Sequence, residues 1–207
     1  STTSTIPGEG KTFTALNLAA ILSMLDKKVI VLDCDMRKPR LNKIFEIDNS
    51  KGMSTILSGQ TDYQKCLFTT NVTNLDVIPS GPVPPNPSEL ILNKRIVSLV
   101  EELKTKYDYV LVDTPPIGLV TDALDILAFV DYPIYVLRAA YSNRNFVMNM
   151  NRIMVDNQIP KLSTILNDYG RGASSYGYYY GYGYGYGYGY GYGYGYGYGY
   201  GYGASYG

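Results

Sequence analysis

The sequence has no histidine and only two cysteines, Cys34 and Cys66, in 207 residues. Without histidine there is no Ser-His-Asp or Cys-His machinery, and no zinc site built on imidazole. Two cysteines are too few for a disulfide framework and fit a reducing compartment. An excess of either charge is lacking too. Lysine plus arginine is 18 and aspartate plus glutamate is 18, which argues against a general nucleic-acid binder. No apolar run approaches the ~20 residues that span a bilayer, and no signal-peptide pattern opens the sequence.

Charge is also missing from one end. Residues 172–207 comprise 16 Tyr, 15 Gly, three Ser and two Ala, so all 36 charged residues lie in residues 1–171. Two parts are expected: a globular domain at 1–171, long enough for a real core, and a low-complexity, disordered Tyr/Gly tail at 172–207.

Within the first part, strand-like and helix-like runs alternate. Residues 11–25 (KTFTALNLAAILSML) read as a buried helix, apolar on most sides. Residues 29–32 (VIVL) and 109–112 (YVLV) are continuous apolar runs suited to strands covered on both faces. A short strand at 75–78 precedes a proline-rich loop, and Ser88 is placed to cap a helix running to about residue 106. Residues 122–130 and 144–156 read as helices, 133–137 and 162–166 as strands. Alternation of this kind predicts an α/β fold with a mainly parallel sheet flanked by helices. The phosphate loop described next has only STTST before it. The strand that should feed it is expected to be absent or cut short, leaving the domain N-terminally incomplete.

The strongest chemical signal is Thr5-Ile6-Pro7-Gly8-Glu9-Gly10-Lys11-Thr12. It matches the Walker A pattern except that Thr5 replaces the first glycine. Gly8 and Gly10 let successive backbone N–H groups, Glu9 included, turn inward around a phosphate. The helix starting at Lys11 points its positive end at the same anion. Lys11 supplies a full charge to the β- and γ-phosphates of ATP, and the Thr12 hydroxyl can ligate Mg²⁺. A second signal is VIVLDCDMR, residues 29–37. Alternation at the end of a strand puts Asp33 and Asp35 on one face and Cys34 on the other. Paired acids at this edge of an open sheet suit Mg²⁺. Cys34 reads as a packed thiol, because neighbouring carboxylates disfavour a thiolate. A third signal is YVLVDTPP, an apolar strand ending in Asp113, the Walker B arrangement with its acid near the metal.

PGEGKT, VLDCDMRKPR, GPVPPNPSEL and VLVDTPPIGLVTDA in this order, followed by a tyrosine-rich C-terminus, resemble the bacterial tyrosine kinases. These form the cytoplasmic domain of regulators of polysaccharide chain length in capsule and exopolysaccharide export. The resemblance covers nearly all of residues 4–170. It implies a P-loop fold, ATP and Mg²⁺, and transfer of the γ-phosphate to C-terminal tyrosines in trans within a ring of identical subunits. It carries catalytic roles to Lys11, Asp33, Asp35 and Arg37, nucleotide binding to Lys11, Thr12 and Asp113, and metal binding to Thr12, Asp33 and Asp113. It also implies a membrane-spanning polysaccharide copolymerase region, fused or separate, an opposing protein-tyrosine phosphatase, no nucleic acid, and a place at the cytoplasmic face of the bacterial inner membrane. The family's membrane-spanning region, and the basic-acidic helix upstream of its phosphate loop, are not in this sequence.

Two other readings stay open. Partitioning and septum-site ATPases share the fold, but their phosphate loop carries a second lysine where this sequence has Ile6. A non-catalytic chain whose Tyr/Gly tail self-associates is the other. For the tail, the candidate phosphoacceptors are Tyr176, Tyr178, Tyr179, Tyr180, Tyr182, Tyr184 and Tyr202. A tyrosine hydroxyl has a pKa near ~10. With no histidine, a carboxylate is the available base, and Asp35 is the candidate, with Asp33 and Asp113 on the Mg²⁺ side.

Overall fold

The computed structural model describes residues 1–118, 123–159 and 161–170. The Tyr/Gly segment, its expected disorder and all seven candidate acceptor tyrosines lie outside the described residues. The strands are β1 (Thr2–Ser4), β2 (Val29–Asp33), β3 (Phe68–Thr69), β4 (Leu75–Ile78), β5 (Tyr109–Asp113), β6 (Ile134–Arg138) and β7 (Ser163–Asn167). The helices are α1 (Lys11–Met24), α2 (Leu41–Ile44), α3 (Met53–Leu57), α4 (Pro87–Ile91), α5 (Arg95–Lys104), α6 (Ala123–Phe129) and α7 (Asn145–Asp156), with a 3₁₀ turn at Tyr63–Lys65.

The strands form one sheet in the order β3-β4-β2-β5-β1-β6-β7, parallel throughout except for β3 against β4. Its apolar strands divide their side chains between two layers. Ile30, Leu32, Ile78 and Val112 pack with α3, α4, α5 and α6 on one face. Val29, Val31, Val77 and Leu111 pack with Ala19 of α1 on the other. A continuous run such as VIVL therefore fits because both faces are covered.

The strand expected to be missing before the phosphate loop is present as β1. It lies between β5 and β6, pairing Thr2 with Asp113 and Thr2, Thr3 and Ser4 with Ile134, Tyr135 and Val136. Its three side chains are buried yet polar, and each hydroxyl has a partner: Thr2 on Asp113 (3.3 Å), Thr3 on Pro115 O (3.3 Å) and Ser4 on Ile6 O (3.0 Å). Those bonds offset the cost of burial. No apolar pattern marks such a strand.

Two helices differ from expectation. The segment 88–106 is broken into α4 and α5, because Asn93 accepts from the Arg95 N–H and donates to Leu57 O, competing with the helical ladder. Ser88 caps nothing; Asn86 precedes α4 as its N-cap. Helix α1 is not buried all round. Ala15, Ala19 and Ser23 face the sheet, where small side chains allow close approach, while Phe13, Ile21 and Met24 are exposed.

Leu32 lies fully buried in β2, beside Ile30 and Val112. Leu32→Ala is expected to lower the unfolding free energy by about 2–5 kcal/mol, read from urea denaturation. A loss within the scatter of surface substitutions would mean that the β2 core is not packed as described.

Candidate active site

The parallel order brings the C-terminal ends of β1, β2 and β5 to one edge, where open α/β sheets bind ligands. The loop 5–10 follows β1, the acidic turn 34–40 follows β2, and Asp113–Pro116 follows β5. A cavity of about 250 Å³ opens between them. Gly8, Gly10, Lys11 and Thr12 form one wall, Asp35, Arg37, Lys38 and Arg40 another, and Pro115 and Pro116 a third, with exposed Phe13 at the mouth.

Lys11 is the centre of the cluster. Its buried ammonium donates to Asp35 Oδ2 at 2.9 Å and lies 3.9 Å from Asp113 Oδ1. Thr12 donates to the other oxygen of Asp113 at 2.5 Å. Four expected site residues are thus joined in one chain of contacts, Asp35 to Lys11, Lys11 to Asp113 and Asp113 to Thr12. Gly8 and Gly10 hold φ values of +90° and +98°, in the left-handed region that favours glycine.

Asp33 and Asp35, expected to act as a pair, have separate partners. The strand ends at Asp33, so alternation does not continue to Asp35. Asp33 accepts from the N–H groups of Asp35, Arg40 and Leu41 at 3.2 Å each, and this folds the turn back over β2. It remains opposite Asp113 in the β2–β5 register. Burial, then the facing Asp113 charge, push Asp33 up to about 7, against the two backbone donors. Burial also raises Asp113, with Lys11 and Thr12 opposing it. Cys34, fully buried beside the same carboxylates, is pushed well above the ordinary thiol range, chiefly by desolvation.

Among the described residues no three Cys, Asp or Glu side chains group closely enough to form a protein-only metal cage. The Thr12 hydroxyl with the Asp33 and Asp113 carboxylates is instead a hard-oxygen set, suited to Mg²⁺ that also takes phosphate oxygens and water. The inward-curving glycine loop, the start of the 14-residue α1 and the Lys11 ammonium fit a polyphosphate.

Arg37 lines the cavity and donates to Ser88 Oγ at 2.8 Å, tying the acidic turn to α4. The Glu9 side chain does not line the cavity. It is fully buried behind the loop, accepting from the Ile6 N–H (2.9 Å) and from Ser142. Sequence reasoning missed Arg138, Tyr141, Ser142 and Asn167, which contact the loop from behind. A signal existed: Arg138 and Asn167 end parallel strands β6 and β7, the same position that singled out Asp33 and Asp113.

A family model described as an AAA domain matches residues 5–158. The chain is 40% identical over 173 residues to the tyrosine-protein kinase wzc of Salmonella typhi, covering 82% of this chain and 24% of that protein. It is 37% identical over 178 residues to the tyrosine-protein kinase CpsD of Streptococcus agalactiae, covering 86% and 78%. The kinase domain of the Escherichia coli tyrosine kinase ETK superposes with a TM-score of 0.76 at 34% identity, over 86% of this chain and 71% of that one. The chain thus spans about a quarter of the Salmonella relative and about three quarters of the Streptococcus one.

The raised Asp33 has a defined pH consequence. The folded chain holds its proton more tightly than the unfolded chain does. The contribution of this group to stability is therefore full below the ordinary aspartate value of 3.8 and is lost as pH rises toward about 7. Asp33→Asn carries no such charge. Urea midpoints in EDTA should show wild type losing stability relative to Asp33→Asn across that window, and Mg²⁺ with ADP should narrow the gap. A gap independent of pH would show that Asp33 is not a buried charge.

Proposed function

The chain belongs to the bacterial tyrosine-protein kinases, and on that premise we propose that it is an ATP- and Mg²⁺-dependent kinase that phosphorylates its own C-terminal tyrosines. The observation carrying this reading is the buried Lys11 ammonium between Asp35 and Asp113, at the start of α1 and beside the glycine loop. Residues 1–171 act as the catalytic domain and residues 172–207 as the acceptor segment.

In this reading Lys11 and the N–H groups of residues 8–12 bind the β- and γ-phosphates. Thr12, Asp33 and Asp113 hold Mg²⁺, which when bound neutralises charge on the phosphates. The acceptor tyrosine oxygen attacks the γ-phosphorus, the bond to the bridging oxygen breaks, and ADP leaves. The tyrosine proton passes to Asp35. Of the three carboxylates, Asp35 lines the cavity, whereas Asp33 and Asp113 lie beneath it at 1% exposure; this supports Asp35 as the base. Arg37, on the same wall, adds positive charge to the transferring group. Ile6 stands where a septum-site ATPase would carry its second lysine, which weighs against a positioning switch.

The acceptors are the tail tyrosines, among them Tyr176, Tyr178, Tyr179, Tyr180, Tyr182, Tyr184 and Tyr202, presented by a neighbouring copy in a ring-like assembly. A protein-tyrosine phosphatase reverses the modification. No helix of the described residues is long and apolar enough to cross a membrane. Attachment to the cytoplasmic face of the inner membrane is proposed through a copolymerase region, fused or separate, so that phosphorylation regulates capsular or exopolysaccharide export.

Lys11→Met should reduce autophosphorylation at least ~10²-fold, the scale of losing a major electrostatic stabiliser; undiminished phosphotyrosine in the purified variant would sink the assignment of the loop. Asp35→Asn should depress the rate while leaving Mg²⁺ affinity near normal, and full activity in this variant would remove Asp35 as the base. Residues 182–202 repeat one local sequence, leaving little basis for choosing among acceptors. Intact mass spectrometry after incubation with Mg-ATP should therefore show a ladder of successive phosphates. A single stoichiometric phosphate would exclude this distributed use.

A further inference from the structure

Three successive carbonyls of the phosphate loop each accept a hydrogen bond from behind. Tyr141 OH donates to Pro7 O at 2.9 Å, Arg138 Nη1 to Gly8 O at 3.2 Å, and Asn167 Nδ2 to Glu9 O at 3.1 Å. In a planar trans peptide the carbonyl and the following N–H point in opposite directions. Holding those three oxygens outward therefore turns the N–H groups of Gly8, Glu9 and Gly10 to the other side, toward the cavity. None of these three N–H groups donates to an acceptor among the described residues. They are what a bound anion would use.

We propose that Tyr141, Arg138 and Asn167 are positioning residues that aim the Gly8, Glu9 and Gly10 amides at phosphate, a reading that rests on the loop being the nucleotide site proposed above. The glycines serve this arrangement from the rear. A Cβ on Gly10 would strike the Asn167 amide, and one on Gly8 would press the Tyr141 hydroxyl at 3.1 Å. The three donors are themselves fixed. The Arg138 guanidinium lies over the Tyr141 ring, 5.2 Å from its centroid, and donates through Nε and Nη2 to Asp168 at 3.1 Å each. Asn167 ends β7 and Asp168 follows it directly, so the strand that leads toward the Tyr/Gly segment is pinned to the rear of the phosphate loop. Glu9 completes the brace from inside, joining the Ile6 N–H to Ser142.

The assignment makes each donor answerable for one amide, which a general packing role would not. The test uses the full chain, ¹⁵N-labelled, titrated with inorganic triphosphate and Mg²⁺, with wild type compared to Tyr141→Phe, Arg138→Met and Asn167→Ala. In wild type the Gly8, Glu9 and Gly10 amide protons should shift downfield on binding. Tyr141→Phe should selectively diminish the Gly8 shift, Arg138→Met that of Glu9, and Asn167→Ala that of Gly10. Each variant should weaken triphosphate binding roughly 2- to 10-fold, as for loss of one hydrogen bond, while melting near wild type. Tyr141→Phe removes one oxygen from a half-exposed ring and keeps the stacking on Arg138, so it tests the proposal even if Asn167→Ala fails to fold. Wild-type shifts and affinity in the variants would overturn the positioning role and leave the nucleotide site standing. Absence of triphosphate binding by wild type would overturn both.

Discussion

Everything at this site depends on one buried ammonium. Taking Lys11 out of water costs several kcal/mol, and a single carboxylate partner rarely repays that. The fold meets the cost with Asp35 in contact, Asp113 within 4 Å, and further donors from Thr2 and Thr12 on Asp113. Those four partners come from β1, α1, the end of β5 and the turn after β2. The cluster can form only if β1 sits beside β5 and β2 on its other side, in parallel and in this register. Sheet order and site chemistry are therefore one constraint. Buried polar β1 is held in the middle of the sheet because its neighbours' hydrogen bonds require it there.

The same constraint leaves an imbalance. Asp35 and Asp113 share one ammonium, and Asp33, in register with Asp113 and with no ammonium of its own beside it, is raised to about 7 by burial and by that facing charge. A chain arranged only for stability would replace one of these acids. Strain of this kind gathers where a cation-bearing ligand is to be received. Asp33 still contributes to architecture, because its oxygens gather the N–H groups of Arg40 and Leu41 and so close the turn that carries Asp35, Arg37, Lys38 and Arg40. One carboxylate thus shapes the wall that a neighbouring carboxylate occupies.

How much of this was legible in the sequence follows from the range of each interaction. β2, β4 and β5 announce themselves by short apolar runs, and Lys11, Thr12 and Asp113 by local spacing. Asp33 and Asp35 are legible with their separate roles, but are placed on one strand face, because alternation describes a strand and Asp35 lies just beyond its end. β1 has no apolar residue, so nothing in STTST distinguishes a central strand from a loop; its burial is set by Asp113, Pro115 and β6, more than a hundred residues away. The break between α4 and α5 turns on one amide, Asn93, whose partner is in α3. Arg138, Tyr141 and Asn167 reach the loop across 130 residues or more, and no motif spans that distance.

The charges around the cavity are layered. The Asp33 and Asp113 carboxylates lie at its floor, whereas Arg37, Lys38 and Arg40 stand with Asp35 on its wall. A polyphosphate with its metal matches both layers at once: anionic oxygens toward the basic wall, the cation toward the acidic floor. The proposed acceptor matches neither. After Arg171 the sequence carries no charged side chain, so a tail tyrosine has no ionic handle by which to compete with nucleotide for the wall. In the proposed ring-like assembly its occupancy would come instead from tethering, where linkage supplies an effective concentration that can reach the millimolar range. A repeat of near-identical Gly-Tyr units raises that concentration further and dispenses with recognition of any one position. On the proposed function, weak, uncharged acceptors in large number would be the counterpart of a site whose binding energy is committed to the nucleotide.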